Sequence, residues 1–279
     1  MDFDAVAKTS LLTAAIRAVE TNRSEKEGRL FTDPFAEVLA GSEGFSILEQ
    51  VLAEVGEQGW ASIVLRTRYF DDRIMHGLAR GIRQIVILAA GMDTRAYRLS
   101  FPDGTRVFEL DRPEVLSYKQ EKLGNTLPHC IRHTVGVDLQ EEWPSKLIRA
   151  GMSTTERTLW LVEGLLIYLE EAAVLALFEK IDSLSAANSI LLFDVLGRSL
   201  LDAPFMAKQL QFLEKLGAPW HFGSDEPEKL MEQFGWTTVA TQPGEVDPAR
   251  WDFPTAPRHV PDVPRLFFVE ARKLSGVFL

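Results

Sequence analysis

The sequence predicts an α/β protein in which a seven-stranded sheet, with its last strand antiparallel, follows an N-terminal helical cap. Apolar residues recur at helical spacing through residues 1–80. From residue 85 onward, short continuous apolar runs alternate with helix-like stretches, which is the pattern of a parallel sheet covered on both faces. Two late apolar runs, 236–241 and 266–271, have no convincing helix between them and therefore favour a hairpin that reverses the last strand.

The helical cap, residues 1–80, contains several helical patterns. Apolar residues recur at helical spacing over residues 4–20. Asp33-Pro34 predicts the start of a second helix that runs through Leu39, because proline is tolerated in a first helical turn. Residues 63–78 trace a long amphipathic helix that leads into the first strand.

The second domain, residues 81–279, carries the strands and a segment at about 198–225 that we expect to cover the substrate. Prolines between the two late strands predict an irregular loop there. The strands before the late pair are expected at 85–88, 106–110, 131–137, 158–162 and 189–195, with helices such as 113–123 and 172–184 between them.

Composition excludes several classes of partner. A formal charge of -10 and a pI near 5.1 oppose attraction to phosphate backbones, so nucleic acid is not expected as a partner. The single cysteine, Cys130, cannot form an intramolecular disulfide and fits a strand edge in a reducing compartment. There is no basic N-terminal region and no apolar run of the roughly 18 residues that span a bilayer. We therefore expect a cytoplasmic protein with no membrane partner.

The most informative motif is the strand and turn at residues 85–98, which read Ile-Val-Ile-Leu-Ala-Ala-Gly-Met-Asp-Thr-Arg-Ala-Tyr-Arg. The next strand ends with Glu109-Leu110-Asp111. A tight turn after a parallel strand brings the backbone close to a ligand, and an acidic side chain about 20 residues on can accept hydrogen bonds from ribose hydroxyls. The pattern predicts a nucleoside site at the carboxyl ends of these strands.

The composition of that turn separates two cofactors. Only Gly91 is glycine, and Ala89 and Ala90 stand where a dinucleotide fingerprint would place more. A pyrophosphate needs backbone amides with no side chains in the way. S-adenosylmethionine carries no phosphate and tolerates this turn, so it is the predicted cofactor and NAD is disfavoured.

The chain resembles the leucine carboxyl methyltransferase family, including its bacterial polyketide and secondary-metabolite O-methyltransferase branch, over nearly its whole length. The resemblance implies a class I methyltransferase, Rossmann-like fold. This chain departs from the family pattern at Ala89, a position at which the eukaryotic members look to have glycine. The strings that carry the resemblance begin at Thr9 and continue through Arg17-Ala18-Val19-Glu20, Phe31-Thr32-Asp33-Pro34-Phe35-Ala36, Arg66-Thr67-Arg68-Tyr69-Phe70-Asp71-Asp72, Leu88-Ala89-Ala90-Gly91-Met92-Asp93-Thr94-Arg95, Phe108-Glu109-Leu110-Asp111-Arg112-Pro113 and Val162-Glu163-Gly164-Leu165-Leu166-Ile167-Tyr168-Leu169.

The resemblance implies roles for three charged residues. Asp111 is the expected ribose ligand, with Glu109 beside it, although the residue also stands where it could cap the helix that starts at Pro113. Arg66 is expected to bind the carboxylate of the methionine tail, with Arg17 as a weaker second contact. The segment from Glu163 to Tyr168 is expected to surround the transferred methyl group, and Glu163 is expected to contact the cofactor. A carboxylate beside a buried strand is costly unless it is paired.

The remaining expected cofactor contacts rest on position. Ala89 and Gly91 form the turn, and Asp93 either contacts the cofactor or caps the next helix. Asp138 and Leu139 follow the third strand, where the resemblance to class I methyltransferases implies that they hold the adenine; the alternative is a loop aspartate with no ligand. Arg66 and Arg68 lie two apart on a helix, so they point to different faces.

The five histidines show no metal spacing and no pairing with a nucleophile, so no metal site is expected. A carboxylate acceptor is already ionised at neutral pH and needs no general base, whereas a hydroxyl acceptor would want one. The weak candidates for a catalytic role are Tyr168, His221 as the base for a hydroxyl, and Arg198 as a partner for a substrate carboxylate.

The sequence thus predicts an S-adenosylmethionine-dependent O-methyltransferase that converts a small-molecule carboxylate to a methyl ester. Three alternatives stay open: methylation of a hydroxyl on a polyketide-like or phenolic substrate, methylation of a protein C-terminal carboxylate, and a non-catalytic protein that binds an adenosine cofactor.

Overall fold

The computed structural model describes residues 3–56, 58–246, 255–261 and 263–275, and its centre is a seven-stranded sheet in the order β3-β2-β1-β4-β5-β7-β6. Only β7 runs against the others, pairing antiparallel with both β5 and β6. The predicted sheet with its reversed last strand is therefore confirmed. The strands are β1 (Gln84–Leu88), β2 (Arg106–Asp111), β3 (Ile131–Gly136), β4 (Thr158–Val162), β5 (Ile190–Leu196), β6 (Trp236–Thr241) and β7 (Leu266–Lys273).

The helices surround this sheet and supply the cap. Among them α3 is the long helix expected before the first strand. Short 3₁₀ turns at Leu166–Tyr168 and Pro204–Met206 follow β4 and α8. The helices are α1 (Ala5–Asn22), α2 (Ala36–Val55), α3 (Gln58–Ala79), α4 (Arg95–Arg98), α5 (Pro113–Leu123), α6 (Pro144–Arg149), α7 (Glu171–Leu184), α8 (Arg198–Leu201), α9 (Ala207–Lys215), α10 (Pro227–Glu232) and α11 (Pro243–Val246).

The central strands are mostly apolar because both faces of the sheet are covered. Ile85 and Ile87 belong to the core beneath the N-terminal helices, whereas Val86 and Leu88 belong to the core on the opposite face. The chain passes from β1 outward through β2 to β3 and then crosses back to β4 on the other side of β1. This reversal of strand order leaves a crevice at the carboxyl ends of β1 and β4, where ligands bind in folds of this kind.

The second helix of the cap differs from its prediction. It was expected to run from Asp33-Pro34 through Leu39, but Pro34 lies in a turn and α2 continues to Val55, interrupted at Gly41, where φ is +56°. Apolar residues beyond the interruption keep the helix packed, mainly against α1. A Cβ at Gly44 would lie 2.6 Å from the Leu11 carbonyl oxygen, so glycine there permits the close crossing of the two helices.

Other predictions concern the periphery. Cys130 is half-buried and directly precedes the edge strand β3, as expected. The irregular loop predicted between the late strands begins with the short helix α11, and its residues 247–254 and 262 lie outside the described residues. Within the described ranges, every helix lacks either the length or the apolar character required to cross a bilayer.

Candidate active site

A cavity of about 410 Å³ opens at the carboxyl ends of β1, β2 and β4, beneath α1 and α3. Its wall brings together residues that are far apart in the sequence. All of the predicted cofactor contacts line it, and whether each one touches a cofactor stays a prediction. These residues are Arg66, Ala89, Gly91, Asp93, Asp111, Asp138, Leu139 and Glu163, joined by the predicted second contact Arg17.

The turn after β1 has an unusual backbone. Ala89 has φ of +52° and Gly91 has φ of +44°, so two of its residues adopt left-handed conformations. For an alanine this conformation costs about 1–2 kcal/mol. A Cβ at Gly91 would lie 2.9 Å from the Cβ of Ser10, so glycine is required for α1 to pack over the turn. The backbone amide of Ala90 donates to the Leu110 carbonyl at 3.0 Å, which ties the turn to β2.

Asp111 faces this turn from the end of β2. Its Oδ2 accepts a hydrogen bond from the Gly91 amide at 2.6 Å, and its Oδ1 accepts one from the Arg112 amide at 2.7 Å. Burial raises the pKa of Asp111, and the bonds from these amides oppose the rise without cancelling it. Arg112 is the N-cap residue of α5 and no side chain caps that helix, so the capping alternative for Asp111 is wrong. The carboxylate is turned toward Gly91 instead.

Carboxylates and guanidinium groups form a buried ion network on the floor of the cavity. Arg66 joins two strand ends: its Nε donates to Glu163 at 3.0 Å and its Nη1 donates to Asp194 at 2.9 Å. Arg95 bonds the other oxygen of Glu163 at 2.8 Å and also pairs with Asp93. The side chains of these five residues are between 3% and 13% exposed, so the network is screened little by water.

The network sets the pKa of its acids in two directions. Burial raises the pKa of Glu163, but Arg95 and Arg66 outweigh burial and leave this pKa below its usual value. Burial also acts on Asp93, where Arg95, Lys119 and Arg98 prevail and lower the pKa to about 2. Burial prevails at Asp194 and raises its pKa despite Arg66. The expectation that Glu163 needs an ionic partner is confirmed, and it has two.

The same network fastens the helical cap to the sheet domain. Asp71 on α3 accepts from Arg95 at 2.7 Å and from Arg98 at 2.6 Å. Asp33 accepts from Arg17 at 2.8 Å and from the Thr94 hydroxyl at 2.7 Å. The cap therefore holds the residues that follow the turn through charged hydrogen bonds as well as apolar packing.

The hydrogen bonds of three other residues named in the sequence analysis show where their side chains lie. Asp93 accepts from the Arg95 amide at 2.7 Å at the start of α4, so it bonds the helix start while also lining the cavity. Asp138 is exposed and accepts from the Gln140 amide at 2.8 Å. Arg68 donates to Asp72 at 2.7 Å, away from Arg66, so the prediction of different faces is confirmed.

Sequence reasoning missed Asp194 and Arg95. Asp194 interrupts the buried apolar strand β5, and its Oδ1 accepts from the Gly164 amide at 2.6 Å. The argument applied to Glu163, that a buried carboxylate requires a partner, would have identified it. Arg95 lines the cavity, and its buried Nη2 has no hydrogen-bond partner among the described residues.

Further residues of the cavity wall, which we call the acceptor end, are mainly apolar. Its polar members are Thr9, Tyr168, Gln209 and Trp220. Its apolar wall consists of Leu12, Ile16, Val51, Ile63, Ile167, Leu196, Phe212, Leu213 and Leu266.

The structure brings one of the three weak catalytic candidates to this end. Tyr168 lines the cavity. His221 lies outside the cavity wall, with its Nδ1 3.4 Å from the Oε1 of Glu170, and Arg198 bonds the His221 carbonyl at 3.3 Å at the surface. The loop turns Trp220 inward and the next side chain outward, which removes His221 and Arg198 from the site.

The segment at about 198–225 contains α8, a 3₁₀ turn and α9, and its role in covering the substrate stays a prediction. Of its apolar residues, Phe212 and Trp220 reach the cavity, whereas Met206 is buried elsewhere and Phe205 is 69% exposed.

Comparison with known proteins agrees with the resemblance. The leucine carboxyl methyltransferase family model matches residues 10–182. A protein from Parafrankia, named as a candidate S-adenosyl-L-methionine-dependent methyltransferase, is 35% identical over 276 residues that cover 91% of this chain and 88% of that protein.

Two solved structures share the fold. One is a DUF574 family protein from Streptomyces avermitilis, with a TM-score of 0.60 at 15% identity, covering 93% of this chain and 96% of that chain. The other is a candidate methyltransferase from Thermobifida fusca, with a TM-score of 0.61 at 18% identity, covering 86% of this chain and 93% of that chain. At these identities the likeness concerns the fold alone.

The strand order, the reversed β7 and the cavity at the switch in strand order define a class I methyltransferase fold. The match over residues 10–182 and the Parafrankia relative then specify the group: the chain belongs to the leucine carboxyl methyltransferase family.

Proposed function

We propose that the protein is an S-adenosylmethionine-dependent O-methyltransferase that esterifies the carboxylate of a small molecule. Family membership and the name of the Parafrankia relative support methyl transfer from this cofactor. A carboxylate acceptor, a role in secondary metabolism and a cytoplasmic location are finer predictions, which rest on the resemblance and on the chemistry of the cavity.

The observation that carries the proposal is the position of Asp111 against the turn. Each of its oxygens accepts one backbone amide and keeps a further acceptor site, which suits the two hydroxyls of a ribose. The turn contains one glycine and a left-handed alanine rather than a glycine-rich cradle for a pyrophosphate. The residues present therefore fit an adenosine that carries no phosphate.

The remaining parts of the cofactor have fitting partners on the cavity wall. Asp138 and Leu139 would hold the adenine. The methionine carboxylate would be held by Arg66, which retains Nη2 beyond its two ion pairs, or by the unpartnered Nη2 of Arg95. When bound, the cofactor supplies a methyl group on a sulfonium, and transfer forms an oxygen–carbon bond as the carbon–sulfur bond breaks with its electron pair moving to sulfur.

This chain's own contribution is placement. The ion network fixes Glu163 and the Gly164 amide at the end of β4, and the apolar acceptor end excludes water from the reacting atoms. No proton has to be removed from a carboxylate, whose ordinary pKa lies well below neutrality.

The lack of a histidine base on the described part of the cavity wall favours a carboxylate over a hydroxyl acceptor. Within the described ranges, the cavity wall holds no histidine, lysine or cysteine. Burial raises the pKa of Tyr168, which therefore keeps its proton at neutral pH and acts as a donor rather than a base.

A labelled methyl-transfer assay tests the proposal. The purified protein is incubated with methyl-labelled S-adenosylmethionine and small-molecule extract, and the product is then treated with mild alkali. We expect label to enter a small molecule and to be released by alkali, since esters hydrolyse and ethers do not. Alkali-stable label would replace the carboxyl proposal with hydroxyl methylation, and label only in protein would favour a protein substrate.

A further inference from the structure

The indole nitrogen of Trp220 is a buried donor without an acceptor. Trp220 lines the acceptor end, yet its Nε1 has no hydrogen-bond partner among the described residues. An indole N–H can only donate, and leaving such a group buried and unpaired is unfavourable. An oxygen atom that enters the cavity would satisfy it.

The fold places a second donor beside this one. The loop that carries Trp220 is bonded to the turn before Tyr168, because the His221 and Phe222 amides both donate to the Ile167 carbonyl, at 2.7 Å and 3.4 Å. The Tyr168 oxygen lies close enough to the side chains of Thr9 and Trp220 for both to lower the Tyr168 pKa, although Trp220 Nε1 completes no hydrogen bond with it. The Thr9 hydroxyl itself donates to the Val6 carbonyl oxygen at 2.6 Å.

The surroundings of these donors distinguish kinds of acceptor molecule. The wall around these two donors is mainly apolar. Arg66 interacts electrostatically with Tyr168 but is already paired with two carboxylates. A carboxylate has two oxygens, so one can be held by neutral donors while the other attacks the methyl group. An alcohol has a single oxygen, so the same donors would have to bind the atom that attacks, which lowers its nucleophilicity.

We propose that the Trp220 N–H and the Tyr168 hydroxyl together bind the non-reacting oxygen of an acceptor carboxylate whose carbon skeleton is apolar. This inference rests on the proposed function and adds to it the residues that select acids over alcohols of the same skeleton. Both residues would act as binding and orienting groups.

Calorimetric titration tests the pair on protein saturated with S-adenosylhomocysteine. The probes are matched acids and alcohols: octanoate against 1-octanol, and phenylacetate against 2-phenylethanol. In the wild type we expect an acid to bind at least about tenfold more tightly than its alcohol. Trp220→Phe and Tyr168→Phe should each weaken the acid by about ten- to a hundredfold and leave the alcohol nearly unchanged, because a hydrogen bond to a charged group is lost.

Trp143→Phe is the matched control. Trp143 also has a buried Nε1 without a partner, but it lies in the core on the other face of the sheet and outside the cavity wall. This variant should keep the wild-type affinity for the acids. Retained binding of S-adenosylhomocysteine in each variant shows that the cofactor end is intact, and Tyr168→Phe, which removes one oxygen atom, suffices if Trp220→Phe does not fold.

Two results would overturn the inference while leaving the proposed function standing. One is that S-adenosylhomocysteine binds but neither acid binds better than its alcohol. The other is that the variants that lack the donors retain full affinity for the acids. Failure of the wild type to bind S-adenosylhomocysteine would instead contradict the proposed function itself.

Discussion

The two ends of the cavity differ in the kind of interaction that holds their side chains in place. At the cofactor end, carboxylates and guanidinium groups are paired in a buried network that spans α3, β4, β5 and the turn after β1. At the acceptor end, apolar side chains surround a few polar groups, and the buried nitrogen of one of these, Trp220, completes no hydrogen bond with any residue that the structure describes.

The family match covers the two ends unequally. Of the five network residues, Asp194 alone lies outside the matched residues 10–182, whereas the acceptor end takes Gln209, Phe212 and Trp220 from beyond them. A rigid ionic network suits a ligand that is always the same, whereas the apolar residues of the acceptor end can change to fit a particular acceptor without disturbing that network.

Replacing Arg95 should have the largest effect. Arg95→Met keeps most of the side-chain volume but leaves Asp71, Asp93 and Glu163 buried with fewer partners. We expect the free energy of unfolding to fall by about 3–5 kcal/mol in urea denaturation. Arg68→Met on the neighbouring helix, where the pair with Asp72 is exposed, should cost less than about 1 kcal/mol.

The acceptor end provides the contrasting variant. Phe212→Leu, in the same assay, should cost less than about 1.5 kcal/mol because one apolar side chain replaces another in a partly buried site. Equal losses at Arg95 and Phe212 would contradict the proposed contrast between the two ends.

Replacing Asp111 should affect ligand binding more than stability. Asp111→Asn preserves the shape of the side chain but removes its charge and one acceptor, so the affinity for S-adenosylhomocysteine should fall by about ten- to a hundredfold in calorimetry. Glu114→Gln, on the first turn of α5 and largely exposed, is the control and should leave the affinity unchanged. Unaltered binding in Asp111→Asn would refute the ribose assignment.

Acid should weaken the cofactor end through Asp93. Its folded pKa of about 2 lies below the usual 3.8, so its ionised form contributes about 2 kcal/mol of stability above pH 4, and this contribution is lost as pH falls toward 2. The difference in unfolding free energy between wild type and Asp93→Asn should therefore shrink by about 1 kcal/mol between neutral pH and about pH 3. A difference that stays constant over this range would show that Arg95 does not hold the Asp93 pKa low.

The smallest effect is expected in the turn. Ala89→Gly should raise the free energy of unfolding by up to about 1 kcal/mol, since glycine adopts the left-handed conformation without steric cost. Ala90→Gly, one residue on and without a positive φ, should lower it by about 0.5–1 kcal/mol. Destabilisation by both substitutions would mean that the Ala89 side chain makes contacts worth more than the strain.

The fold and many residues of the cofactor end could be predicted from the sequence because both depend on local patterns. Continuous apolar runs predict the parallel strands, and the lack of a convincing helical pattern in the sequence between the two late strands predicts the reversal of β7. The spacing of the turn at Gly91 and the acidic end of β2, together with the family resemblance, predicts Asp111 as the ribose ligand.

What the sequence could not supply are pairings made across the fold. Asp194 and Arg95 acquire their roles from partners more than 60 residues away in the chain, which no local period records. The sequence offers His221 as a candidate base, but an irregular loop has no periodicity that shows which of two adjacent side chains faces the cavity. In the structure Trp220, and not His221, lines the cavity.

Titration of the wild-type protein with S-adenosylmethionine and NAD tests the central claim most directly. The cofactor end, with its single-glycine turn and ribose-facing Asp111, predicts saturable binding of S-adenosylmethionine and no competition by NAD. Binding of NAD in competition with S-adenosylmethionine, or no binding of S-adenosylmethionine at all, would contradict it.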